Sequence, residues 1–145
     1  TSDGKGGICA VTPDMNMPYT DMRWTFTPES LYYGPKAFYE RYHLPVYITE
    51  NGVAVSEWVS ADRKLHDASR IEYIRSFLSQ LKRAAQDGVD VRGYFYWSLL
   101  DNFEWKEGFS KRFGLIYVDY NTLERIPKDS AAYYAALIRE NGNSI

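Results

Sequence analysis

The heptapeptide VYITENG, residues 46–52, runs the apolar, β-branched stretch Val46, Tyr47, Ile48 and Thr49 into the carboxylate of Glu50, then turns to Asn51 and Gly52. Further on, the tract WSLLDNFEW, residues 97–105, sets Trp97 and Trp105 around Asp101 and Glu104. Carboxylates transfer protons or act as nucleophiles, and indole faces are flat surfaces on which sugar rings stack. Each tract alone has a plainer reading. Asn-Gly is a strong hairpin signal, beside which a glutamate is simply solvated, and a Trp pair around Leu99, Leu100 and Phe103 is ordinary core. Two acids and two Trp at the ends of neighbouring strands would be a site.

The elements that must position them follow from periodicity. Residues 45–49 read as a short buried strand. Residues 67–87 read as the clearest helix, with Asp67 or Ser69 as cap, capping-box spacing from Ser69 to Glu72, and Ile71, Ile74, Phe77, Leu78, Leu81, Ala84 and Ala85 on one apolar face. Gly88 stops it, and the apolar run from Val91 to Leu100 predicts a strand buried on both faces. Strand, helix and strand at this spacing form the parallel βαβ unit. Ligands gather at the carboxyl ends of such strands, which places Glu50 and the Trp97–Trp105 tract on one rim.

Before this unit, residues 1–27 read as a long irregular loop, and Thr27-Pro28-Glu29 opens a helix over 28–42 that Gly34-Pro35 should kink or break. After it, Gly114 to Asp119 begins a hairpin around Asn121-Thr122, and a last helix from Lys128 to Glu140 ends at Asn141-Gly142.

The 145 residues suit a single unit with a sizeable core. A net charge of −2 with no basic run offers nothing to a phosphate backbone, so no nucleic acid is expected. The absence of an 18-residue apolar segment excludes a spanning helix, so no membrane partner is expected. Cys9 is alone and can form no internal disulfide, which with the lack of a signal-peptide core predicts a cytoplasmic setting, although a start at Thr1 suggests that the chain began elsewhere. His43 and His66 are isolated, so neither metal nor cofactor is expected.

VYITENG, then GYFYWSLLDNFEW, then RFGLIYVDY closely resemble, in that order, the C-terminal part of the family 1 glycoside hydrolases, the β-glucosidases and their relatives. The resemblance runs from TDMRWTFTPESLYYGPKAFYERYHLPVYITENG to AAYYAALIRENG. It implies an α/β fold, the C-terminal part of a (β/α)8 barrel comprising the last two barrel strands with flanking helices. It implies that Glu50, ending the seventh strand, is the nucleophile of a retaining mechanism acting on β-glucosides or other small oligosaccharides. By the same resemblance Trp97 stacks on the non-reducing sugar, Glu104 accepts hydrogen bonds from O4 and O6, Trp105 donates its indole N–H to O3, and Phe113 lines the region near C6. Asp101 and Asn102 are read as structural.

A retaining glycosidase also needs an acid/base carboxyl about 5–5.5 Å from the nucleophile. The family takes it from an Asn-Glu-Pro tract that this sequence lacks. A full barrel needs about 250 residues or more. The resemblance therefore implies a piece of an enzyme that partners with the missing N-terminal portion of the same barrel or with a second copy of the chain. Three other readings stay open. Glu50 and Glu104 could be a self-contained pair. A half-barrel rich in Tyr33, Tyr94, Phe95, Tyr96 and Trp97 could bind a sugar or a flat aromatic ligand such as a porphyrin without catalysis. Exposed edges could also make the chain a self-assembling scaffold.

Overall fold

The structure is a computed structural model and describes residue 16 and residues 18–145. Residues 1–15 and 17, in the segment read as irregular, lie outside the described residues. In chain order the elements are α1 (Ser30–Tyr42), β1 (Val46–Asn51), α2 (Ala68–Gln86), β2 (Val91–Tyr96), a 3-10 turn (Trp105–Glu107), β3 (Ile116–Val118), β4 (Arg125–Pro127) and α3 (Asp129–Arg139). β1 and β2 pair in parallel, with Val46 opposite Val91 and Asn51 opposite Tyr96. This is the expected βαβ unit, with α2 as its crossover. Gly93 leaves room for a neighbour, since a Cβ there would stand 2.6 Å from the Tyr47 ring. β3 and β4 form the expected antiparallel hairpin, with Tyr117 opposite Ile126.

The buried face of α2 carries Tyr73, Ile74, Phe77, Leu81 and Ala84. Spaced one, four, eight and eleven residues from Tyr73, they form one helical stripe. Ile74 packs with Leu115 and Leu137 of the hairpin and α3 side. Tyr73 and Phe77 pack with Val53 beyond β1, and Ala84 packs with Tyr32 of α1 and Val89. The crossover helix is thus the shared wall of all three apolar clusters.

Several local expectations are corrected. The helix over 28–42 starts at Ser30, after a turn closed by Ser30 N donating to the Thr27 carbonyl (3.1 Å), and runs through Gly34-Pro35 without a break. Glu50 lies inside β1, and β2 stops at Tyr96 rather than Leu100. There the chain passes through a cis Trp97–Ser98 peptide and bonds instead to the Phe113–Ile116 stretch, with Leu115 N donating to the Ser98 carbonyl (2.9 Å). Neither strand is buried on both faces. Tyr47 and Phe95 are exposed because the described sheet has two strands, helices cover one of its faces, and alternation turns these side chains to the other.

The capping box at Ser69 does not form. Glu72 pairs with Arg75 and Ser76 instead. Asp67 does stand at the N-cap position of α2, but its carboxylate makes no bond to that helix's free N–H groups. It accepts from Ser130 N (2.9 Å) and Ser130 Oγ (2.5 Å), so it caps α3 rather than α2.

Asp67 belongs to a buried ionic cluster. Arg70, whose side chain is fully buried, donates to Asp67 (2.6 Å), to Glu57 (2.8 Å) and to the Arg112 carbonyl (2.8 Å). Lys128, equally buried, donates to Glu57 and to Asp101 (3.0 Å). Asp101 also accepts from Arg112 (2.6 Å) and from Gly114 N (2.9 Å). Burial and the nearby Arg70 charge push the Lys128 ammonium below its ordinary value, against the pull of Glu57 and Asp101. Glu57 and Asp101 are therefore what keep a cation tolerable there. Lys128→Met leaves both carboxylates short of a partner in a buried setting. It is expected to cost about 3–5 kcal/mol in chemical denaturation, far more than Arg75→Met, which removes an exposed pair.

His66 ties the same regions at the surface. Its Nδ1 lies 2.7 Å from Asp129 and its Nε2 3.1 Å from Asp62. Hydrogen bonds to Asp129 and then Asp62 raise the imidazole above its ordinary value of 6.5. The folded protein then holds this proton more tightly than the unfolded chain. The resulting stabilisation is full below pH 6.5 and disappears as pH rises through the raised folded value. His66→Ala is expected to lower the unfolding temperature on the acid side of that window, with the difference from the parent shrinking on the alkaline side.

Candidate active site

Glu50 is the fifth residue of β1, and its carboxylate faces solvent with no hydrogen bond from any described side chain. What holds it is the backbone on either side. Asn51 closes β1 by accepting from Trp97 N through its carbonyl (2.9 Å). Gly52 then passes so close to the start of the next tract that a Cβ on it would stand 1.7 Å from the Trp97 carbonyl oxygen. The Asn-Gly pair is thus no hairpin turn. Asn51 is the last paired strand residue, and glycine is there because two strand ends nearly touch.

The second tract leaves β2 at Trp97 and is pinned where it turns. Ser98 is buried, donates its hydroxyl to the Leu100 carbonyl (2.9 Å) and receives Asn102 Nδ2 (3.1 Å). Asp101, in the ionic cluster, fixes the next residue. Asp101 and Asn102 therefore do the structural work expected of them. Glu104 follows, half-buried, its N–H donated to the Gly108 carbonyl (2.7 Å). Trp105 opens the 3-10 turn and is 80% exposed. Phe113 is buried, in tilted contact with Trp24 at 6.1 Å.

These pieces meet. A cleft of about 590 Å³ is lined by Glu50, Trp97, Glu104, Trp105 and Phe113, all five residues singled out from the sequence, together with Trp24, Asn51, Tyr73 and the hydroxyls of Thr20, Thr25, Thr27 and Ser30. Glu50 and Glu104 are its two carboxylates among the described residues. Sequence reasoning missed Trp24 and Tyr73. The i, i+4 spacing of Tyr73 and Phe77 on the apolar stripe would have flagged the second. The aromatics grouped for a flat-ligand surface do not converge: Tyr94 and Tyr96 lean on Tyr134, while alternation turns Phe95 to the opposite face.

A parallel α/β unit that gathers acids and indoles at the carboxyl ends of its strands has the layout of the mouth of an α/β barrel. The profile of "Glycosyl hydrolase family 1" matches residues 2–143, and the chain belongs to that family. It is 53% identical over 130 residues to a 1,4-beta-D-glucan glucohydrolase of Thermotoga neapolitana, covering 89% of this chain and 29% of that protein. It is 49% identical to beta-glucosidase A of Thermotoga maritima, with the same coverage. The solved family 1 β-glucosidase of Thermotoga maritima superposes with a TM-score of 0.87 at 48% identity over 90% of this chain and 30% of its own, as does that enzyme in complex with isofagomine lactam. The described fold is accordingly a partial (β/α)8 barrel, and the chain spans about 30% of the length of these relatives.

The approach of Gly52 to Trp97 can be checked. Gly52→Ala must push the two strand ends apart, so the unfolding temperature should fall and the near-ultraviolet dichroism of the tryptophans should change. Gly34→Ala, whose Cβ would meet nothing within 4 Å inside α1, should instead gain about 0.5–1 kcal/mol.

Proposed function

We propose that this chain is the part of a retaining β-glucosidase that carries the nucleophile and a set of the glycone contacts. The observation behind the reading is the convergence of Glu50, Trp97, Glu104, Trp105 and Phe113 on one cleft. Trp97 gives the sugar a face to stack on. Glu104 accepts from its O4 and O6 hydroxyls, Trp105 donates to O3, and Phe113 closes the side near C6. Charge-assisted hydrogen bonds from two hydroxyls to one carboxylate are short and geometrically demanding, which favours one sugar configuration.

In the reaction the Glu50 carboxylate attacks C1 and the glycosidic bond breaks, while the leaving oxygen takes a proton from a second carboxyl. Water then gives up a proton to that same group and attacks C1. The bond to Glu50 breaks and the sugar leaves with retained configuration. The second carboxyl is assigned to barrel segments outside these 145 residues, supplied by the N-terminal portion of the same barrel. That the relatives bear the names glucohydrolase and β-glucosidase supports the substrate class.

A second reading keeps its place because Glu104 lines the same cleft. If Glu104 were the acid/base, Glu104→Gln would slow deglycosylation selectively and azide would rescue it. On the proposed reading Glu104→Gln raises KM for glucosides and azide does nothing.

The deciding experiment is hydrolysis of an aryl β-glucoside by the full barrel carrying these residues, by this chain alone, and by the barrel with Glu50→Gln. Turnover is expected in the first and absent from the other two. A Glu50→Gln barrel that retains activity would refute the nucleophile assignment.

A further inference from the structure

No described side chain bonds the Glu50 carboxylate, and the backbone that carries it is held by a double grip on the next residue. Asn51 Nδ2 donates to the Tyr73 hydroxyl of α2 (3.1 Å), and Asn51 Oδ1 accepts from the Tyr94 hydroxyl of β2 (2.9 Å). Both ends of one amide are thus taken by phenols from two different elements. With its carbonyl receiving Trp97 N, Asn51 is tied at three points.

We propose that Tyr73 and Tyr94 are positioning residues for catalysis, acting through Asn51 to fix the direction in which Glu50 leaves β1. The claim rests on the nucleophile reading of Glu50 given above. It depends on the stiffness of the two phenols. Tyr73 is 6% exposed, its ring stacked on Phe77 at 4.0 Å and met edge-on by Phe26 at 5.8 Å. Tyr94 is half-buried against Tyr134 at 6.3 Å. This packing limits how far either ring can follow Asn51. Burial raises the Tyr73 phenol to about 12 and the Tyr94 phenol higher still, so both remain neutral hydroxyls at any working pH. Tyr73 serves Asn51 as acceptor and Tyr94 serves it as donor.

A residue that merely supports the fold and one that aims a nucleophile differ in what they change. Removal of either hydroxyl leaves the ring packing intact but frees one end of the amide, so Glu50 should swing while the sugar contacts at Trp97, Glu104 and Trp105 stay put. Misplacement by about 1 Å can cost on the order of 10²-fold in rate.

The test uses the full barrel carrying Tyr73→Phe or Tyr94→Phe. The probe is a dinitrophenyl 2-deoxy-2-fluoro-β-glucoside, whose leaving group departs without a proton and whose fluorine slows release from Glu50. The rate of covalent labelling, located on Glu50 by peptide mass, then reads nucleophile alignment alone. Labelling is expected to slow by about ten- to a hundredfold in both variants. The inhibition constant of a competitive sugar mimic should stay within twofold of the parent's, as should KM for a natural glucoside whenever binding precedes slow chemistry. Unchanged labelling rates in both variants would overturn the proposal, as would sugar affinity falling in step with labelling. A parent enzyme that labels elsewhere than Glu50 would overturn the nucleophile reading, and this proposal with it. Normal parent labelling with unaffected variants would remove this proposal alone.

Discussion

Three cations and three carboxylates, Arg70, Arg112 and Lys128 with Glu57, Asp67 and Asp101, leave water or nearly so in this fold, and they can do so only together. Taking a charged group out of water costs several kcal/mol unless a well-placed counter-charge and the remaining hydrogen bonds replace what water supplied. Each member of this set has at least one oppositely charged partner within 3.0 Å. The members come from the loop after β1, the start of α2, the tract after β2, and the entry to α3. A hydrophobic contact would tolerate small slips between these segments, but a buried ion pair does not. The cluster therefore acts less as a reservoir of stability than as a device that gives the four segments one mutual arrangement.

That arrangement reaches the cleft by short steps. Asp101, held by Lys128, Arg112 and Gly114 N, stands three residues before Glu104 and four after Trp97. Arg70, which grips Glu57 and Asp67 from one side of α2, lies one turn before Tyr73, which grips Asn51 from another. The helix carries the register of the ionic cluster to the strand end that bears Glu50. Gly52 completes the fit, because the two strand ends can approach this closely only where one of them has no side chain. The backbone that bears this exposed carboxylate is thus fixed by parts of the molecule that never touch the side chain.

Much of this was legible in the sequence, and most of the parts that were not share a cause. The order of elements, the parallel pair, the hairpin and the αL ending at Asn141 and Gly142, whose φ values are 50° and 70°, follow from local signals that nothing overrides. Five residues of the cleft, Glu50, Trp97, Glu104, Trp105 and Phe113, were named by three motifs in a fixed order. Several misreadings fall where a long-range partner claimed a group that local rules had assigned. Ser69 and Glu72 have capping-box spacing, but the helix starts at Ala68, and Asp67 is drawn away to Ser130, sixty-three residues distant. Asn51-Gly52 carries a turn signal that parallel pairing with Tyr96 and the crowding by Trp97 overrule. Leu99 and Leu100 look like strand, yet Ser98 and Asp101 bend the chain toward Ile116. The Tyr73–Asn51–Tyr94 chain could not be read at all, because its three members lie in three elements and only the packing of α2 on the sheet brings them together.

The placement of charge and apolar surface in this chain is inverted relative to an ordinary surface. Lys128 and Arg70 are buried, while Tyr47, Phe95 and Leu99 are more than half exposed. The inversion has a simple source in barrel geometry. A strand in a closed (β/α)8 barrel shows one face to its helices and the other to a packed interior, so both faces are apolar, and the charges that fix the loops must sit at the strand ends. The helix-facing side is satisfied here by α1, α2 and α3. The other side carries Tyr47 and Phe95 and is the side that, in the proposed enzyme, the remaining strands would cover. The same geometry bears on the chemistry. Strand ends bring side chains to a shared mouth, and in the proposed enzyme this two-strand unit aims the Glu50 carboxylate at C1 while Glu104 is taken up by the sugar's hydroxyls, which leaves the proton donor to another strand of the ring.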